Sequence, residues 1–293
     1  MSVAVNRALL VAVASVLLAM VTIQSGASVA KQLFPLIGPE GTTALRLGFS
    51  ALVLWLVFRP WRALPSGRRD WLAIVTYGIS LGGMNILFYL AIERIPLGIG
   101  VALEFTGPLA VALFSSRRKR DLLWVGCAIA GILLLLPDMR SADALDPVGV
   151  IMALAAGACW AGYILFGKRT NAQSSGGITV ALGMTVAALF LVPIGAVSQG
   201  MALLSWQVLP LGFLVGILSS AIPYSLEMVA LRNMTSQSFS VFMSMEPAIA
   251  ALAGFLILSE LLTVWQWLAI GLVIVASLGS SLTSSQAKQP ETS

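Results

Sequence analysis

Ten times along the chain, apolar residues run for about the length of a membrane span, with most charges and turn residues gathered in the gaps. The runs predict helices over 8–34, 42–58, 71–92, 97–115 and 122–137, then 147–167, 177–198, 206–230, 237–258 and 263–283. Helix is the element to expect, because hydrocarbon offers the backbone no partner and a helix satisfies its own N–H and C=O groups. The narrowest division lies within Trp71 to Ser116, where Glu93, Arg94 and Pro96 mark a tight turn between two spans. The first run follows Arg7, exceeds a signal-peptide core and is soon followed by another span, so it reads as a retained helix.

Composition sharpens this into an all-α membrane protein. Of 293 residues, 58% are apolar and 10% charged, against roughly a quarter charged in soluble domains, and the mean hydropathy is +0.95. Ten spans leave short connectors and no room for a separate soluble domain. Histidine is absent, which removes Ser-His-Asp and Cys-His nucleophiles, histidine zinc sites and histidine proton relays. Cys127 and Cys159 sit inside apolar runs and read as small membrane-core residues, so no disulfide, metal or cofactor is expected. The chain lacks a G-x-x-x-x-G-K-[ST] loop, which argues against a nucleotide-driven pump.

The formal charge of +5 does not indicate a nucleic-acid binder, because the cations fall in short gaps between spans rather than on one solvated face. They set topology instead. With the N-terminus inside, 13 of the 17 basic residues fall on cytoplasmic segments, so both termini are expected in the cytoplasm. The Arg117 to Arg120 run is then a topology determinant that meets anionic membrane lipid. Nothing in the sequence calls for an obligate protein partner.

The two halves echo each other. Gly107 to Leu113 reads GPLAVAL and Glu246 to Leu252 reads EPAIAAL, an offset of 139 residues. Trp160 precedes Lys168 by eight residues, as Ile23 precedes Lys31, an offset of 137. The echoes divide the chain into 1–140 and 141–293, each with five spans. An odd number makes the second copy enter the membrane from the opposite side, the inverted-repeat design of secondary transporters.

Polar groups inside hydrocarbon are costly, which makes Glu104, Glu227, Glu246 and Arg46 functional candidates. Glu104 and Glu246 lie about eight and ten residues into their spans, approaching mid-membrane. Pro108 follows the first by one turn and Pro247 follows the second directly; each removes a backbone donor and disturbs its helix beside the carboxyl. Gly100, Glu104 and Gly107 share one face, as do Gly78, Gly82, Asn85 and Tyr89. Such stripes serve either a cavity or close helix packing. Gln24, Ser28 and Lys31 share another stripe, and so do Trp160, Tyr163 and Gly167; cavity lining and packing both explain them. Arg46 is either a counter-ion or snorkels outward, and Glu227 is either functional or reaches cytoplasmic water or Arg232. An anion for an ammonium, with donors for a carboxylate, would suit a zwitterion such as an amino acid, and a buried carboxyl can carry a coupling proton. Paired carboxyls can also do acid/base chemistry, but without histidine, an embedded aspartate or a nucleophile site no enzyme is expected.

Four stretches carry a family resemblance: Tyr77 to Asn85 (YGISLGGMN), Pro96 to Arg118 (PLGIGVALEFTGPLAVALFSSRR), Ile222 to Met228 (IPYSLEM, which includes Tyr224) and Met243 to Ala248 (MSMEPA). The chain resembles the EamA transporters of the drug/metabolite transporter superfamily, and among them the bacterial exporters of threonine and homoserine. The resemblance implies ten helices in two inverted EamA repeats, an inner-membrane location, and efflux of amino acids without ATP hydrolysis; the buried carboxyls themselves suggest protons as the coupling ion in an antiport. Efflux of other metabolites or drugs is the alternative within the superfamily. Trp160 and Lys168 match a W-to-K pattern of the repeat; the first copy departs from it with Ile23, and the second has Gly183 where the first has Arg46.

Overall fold

A computed structural model of the chain describes residues 2–65, 67–114, 121–135, 145–170, 176–234 and 236–285, and every element among them is helical. The Arg117 to Arg120 run, most of the loop after α5 and the C-terminal tail lie outside the described residues. Helix occupies all ten apolar runs, with differences at their breaks. The first two runs form two helical arms, written together as α1 (Ser2–Phe58), that meet at a kink at Ile37 (φ −137°, ψ 15°) and Gly38 (φ 61°, ψ 171°). Pro39 cannot donate a backbone bond across this point, and glycine accepts the left-handed φ that turns the chain. The Thr42 hydroxyl donates to the Gly38 carbonyl at 2.8 Å at the start of the second arm, so the connector between the two helices is reduced to a kink of two residues.

α2 (Arg68–Arg94) has Asp70 in its first turn and Arg94 in its last, both complementing the helix dipole. It ends at Ile95, which Pro96 holds extended. The fourth run divides at Phe105 into α3 (Leu97–Glu104) and α4 (Thr106–Phe114). α5 (Asp121–Leu135), α6 (Pro147–Thr170) and α7 (Gly176–Gln199) follow. The eighth run is α8 (Val208–Gly216), a π turn (Ile217–Ala221) and α9 (Ile222–Asn233). The ninth divides at Ser244 and Met245 into α10 (Ser236–Met243) and α11 (Glu246–Leu258), and α12 (Val264–Ser285) closes the described chain.

Among the described residues six segments are long and apolar enough to cross a membrane, and three shorter apolar helices lie at Leu97–Val111, Leu123–Leu134 and Val264–Gly279. Large apolar side chains such as Leu52, Leu56, Leu133, Ile151, Val197 and Leu256 face outward, which in water would be a liability and in lipid is the expected surface. Inside, α2 packs on α6, the second arm of α1 on α7, the first arm of α1 on α9, α3 on α11, and α5 on α12.

Two local features position the interior. α4 crosses α6 where Gly107 meets Gly157, so closely that a methyl at Gly107 would overlap the Gly157 carbonyl. Backbone cannot rotate away, so Gly107→Ala should push the helices apart and lower the thermal midpoint in detergent, at the cost of about 1–3 kcal/mol typical of overpacking. At the start of α6, Asp146 accepts the Val148 N–H at 2.8 Å and the Arg94 guanidinium at 3.0 Å. The hydrogen bond from Arg94, with that of Val148, holds the Asp146 carboxyl below its usual range. Its contribution is present above the ordinary carboxylate range and fades as pH falls through the lowered value. Asp146→Ala should lower the thermal midpoint slightly at neutral pH, and the gap from the parent should close on acidification.

Candidate functional site

A cavity of about 270 Å³ lies where α1, α2, α3, α6, α9, α10 and α11 converge on the π turn. Backbone irregularities surround it, and prolines explain them. Pro108 cannot donate to the Glu104 carbonyl, Pro247 to that of Met243, or Pro223 to that of Ser219. The first two breaks divide α3 from α4 and α10 from α11. The third lies against the π turn, which puts Ser219 on the cavity wall.

Gln24, Arg46, Asn85, Glu104, Trp160, Tyr163, Glu227 and Glu246 all line this one cavity, although they come from seven different apolar runs. Gln24, Asn85, Glu104 and Glu246 are buried. Gln24 Nε2 donates to Glu246 Oε1 at 3.0 Å, which joins α1 to α11. Asn85 Nδ2 donates back to the Leu81 carbonyl at 2.8 Å. Trp160 meets Phe105 edge-on with ring centroids 5.3 Å apart, and Tyr163 stacks near Tyr77 at 4.7 Å. Tyr89 is fully buried and stands behind the wall, its ring 5.1 Å from the Arg46 guanidinium carbon. Arg46 therefore turns inward instead of snorkelling, and Glu227 is on the cavity wall. The side chain of Tyr224 lies outside the described residues.

The stripes read from the first and sixth helices only partly reach the cavity. Ser28 donates to its own helix at the Gln24 carbonyl, 2.9 Å away. Lys31 lies beyond the wall, where Nζ donates to Glu260 Oε1 at 2.6 Å and to the Ile95 carbonyl at 3.0 Å. Gly167 sits against the Tyr77 ring. Ser219 was not apparent as a site residue, since a serine in an apolar run reads as packing; Pro223 four residues on was the available signal.

Two electrostatic features set the site apart. Among the described residues the ion pairs are Lys31–Glu260 and Arg94–Asp146. Arg46 and the three cavity glutamates thus share one enclosed space without pairing with one another. Seven buried side-chain polar atoms among the described residues lack a hydrogen-bond partner, and five of them, on Gln24, Arg46, Tyr89, Ser219 and Glu246, belong to this wall or stand just behind it. Buried polar atoms are nearly always partnered, so such a concentration sets this wall apart from the rest of the described interior.

Residues 147–282 match the EamA-like transporter family. The threonine/homoserine exporter RhtA of Escherichia coli (strain K12) is 55% identical over 267 residues, covering 91% of this chain and 90% of its own. RhtA of Salmonella typhimurium (strain SL1344) gives the same identity and coverage. The uncharacterized transporter YwfM of Bacillus subtilis (strain 168) is 25% identical over 272 residues, covering 87% and 90%. A crystal structure 16% identical superposes with a TM-score of 0.60 over 97% of this chain and 99% of its own, a likeness of fold.

Proposed function

Because the chain belongs to the EamA-like transporter family, we propose that it is a secondary-active exporter of small amino acids, threonine and homoserine first among them, in the bacterial inner membrane. The observation that carries this reading is the cavity that holds a cation and carboxylates unpaired. A zwitterion brings the opposite charge to each, and relatives named for threonine and homoserine export narrow the choice. The drug-efflux alternative calls for a larger chamber; this one, at about 270 Å³, is below the roughly 300–1,000 Å³ usual for drug-sized ligands. Its role is transport and not catalysis.

Alternating access of two inverted halves, 1–140 and 141–293 with ten spans in all and both termini cytoplasmic, is the mechanism we favour. The packing supports it. If the first arm of α1 corresponds to α6 and α2 to the eighth run, the contact of α2 with α6 becomes that of α9 with α1, while the pairings of α1 with α7 and α5 with α12 map onto themselves. In this topology Lys31, Ile95, Leu97 and Glu260 lie on the outer side. There Glu260 Oε2 also accepts the Leu97 N–H at 2.7 Å, and Gly98 is pressed against Ala251. This junction closes the outer face, while the cavity wall extends inward to Glu227, Phe239 and Met243.

In the coupling we propose, Glu104 and Glu246 share the work of binding substrate and carrying a proton inward as the amino acid leaves. Cells overproducing the protein should tolerate more threonine or homoserine and release more of each into the medium. Unchanged release, with the protein confirmed in the membrane, would favour the efflux of other metabolites or drugs.

A further inference from the structure

The unpartnered atoms around the cavity divide by chemistry into two sets. Gln24 Oε1 and Glu246 Oε2 are acceptors. They belong to side chains already tied together at 3.0 Å, so they lie side by side where the first arm of α1 meets α11. Arg46 Nε is a donor and the Ser219 hydroxyl can serve as one. These come from the second arm of α1 and the π turn, and the Tyr89 ring backs the guanidinium. The sets face one space, because Gln24, Glu246, Arg46 and Ser219 all line the same cavity.

An α-amino acid carries a three-donor ammonium and a two-oxygen acceptor on one carbon, so acceptors on one side and donors on the other would hold it in one orientation. Resting on the amino-acid reading above, we propose that the substrate ammonium binds Glu246 Oε2 and Gln24 Oε1 while its carboxylate binds Arg46 and Ser219. This divides the glutamates' labour. Glu246 is a substrate ligand, fixed on one oxygen by Gln24, and Glu104, which has no such tether among the described residues, is left for the proton. Charge alone would not fix this assignment, since three glutamates line the cavity.

The test is binding to purified protein in detergent by displacement of labelled L-threonine. The competitors are unlabelled threonine, its amino alcohol in which the carboxylate is reduced, and the hydroxy acid in which a hydroxyl replaces the ammonium. The parent should bind threonine at least roughly tenfold more tightly than either analogue, the scale of one buried charged hydrogen bond. Arg46→Gln should weaken threonine by a similar factor while leaving the amino alcohol nearly unchanged, and Arg46→Lys should restore part of the preference. Ser219→Ala should move the same comparison in the same direction by a smaller factor, which keeps the donor side testable should Arg46→Gln fold poorly. Glu246→Gln should weaken threonine and leave the hydroxy acid nearly unchanged. Equal losses for threonine and both analogues in every variant, or the reverse pairing of variant and analogue, would overturn the orientation alone. A folded parent that binds no amino acid would overturn the amino-acid reading along with it.

Discussion

Replacing Glu104 with glutamine should reduce proton-driven threonine transport by roughly a hundredfold or more, the lower end of what is lost with a positioned proton-transfer group. The substitution keeps size and hydrogen-bonding capacity and removes only titration. Glu104 is 7% exposed, with no basic side chain within ion-pair distance among the described residues. Folding and membrane insertion should therefore survive. Exchange of threonine for threonine, which moves no net proton, should persist in Glu104→Gln while accumulation driven by a pH gradient is lost. The pH dependence of residual transport should flatten. Full gradient-driven transport in this variant across a pH series would remove the carboxyl from the coupling mechanism.

The second large effect is expected at the outer junction. Glu260 accepts Lys31 Nζ at 2.6 Å and the Leu97 N–H at 2.7 Å, and both carboxylate and ammonium are mostly buried. Ser259 in the left-handed region (φ 56°) ends α11, and the Glu260 N–H closes on the Gly254 carbonyl at 3.0 Å, so the backbone itself aims the carboxylate at α1 and α3. Charge-assisted hydrogen bonds in such places contribute about 1.5–3 kcal/mol each. Glu260→Gln leaves Lys31 with the Ile95 carbonyl, and should lower the ratio of outer-closed to outer-open protein by roughly ten- to a hundredfold. A cysteine placed at Ala27 on the cavity wall, with Cys127 and Cys159 replaced, should react several-fold faster from outside with a membrane-impermeant thiol reagent when Glu260→Gln is added. An unchanged labelling rate would contradict the closing role of this junction.

These two residues differ in how far the sequence betrays them. Glu104 was legible, because a carboxylate between apolar runs, flanked by glycines and followed by proline, has few structural uses in hydrocarbon. Glu246 and Arg46 stood out for the same reason, and the structure brings all three to one wall. Glu260 was not legible. It sits at the edge of a run, where charge is ordinary, and its partner Lys31 is 229 residues away, a distance that no local periodicity reports. Tyr89 was placed on the right stripe of α2, yet it stands behind Arg46, since helical spacing fixes a face and not the depth reached by the side chain. At Ile37 and Gly38 the sequence offered two prolines and a glycine, which read as a gap between helices. Only two residues leave the helix there, where Gly38 takes a positive φ and the Thr42 hydroxyl bonds the Gly38 carbonyl at the start of the second arm.

Purified protein reconstituted into liposomes gives the most direct measurement. With an acid-inside pH gradient and no nucleotide, the vesicles should accumulate labelled threonine and homoserine above the external concentration, and a protonophore should abolish the accumulation. Uptake of both amino acids indistinguishable from that of protein-free vesicles, with the protein shown to be folded and inserted, would contradict the account.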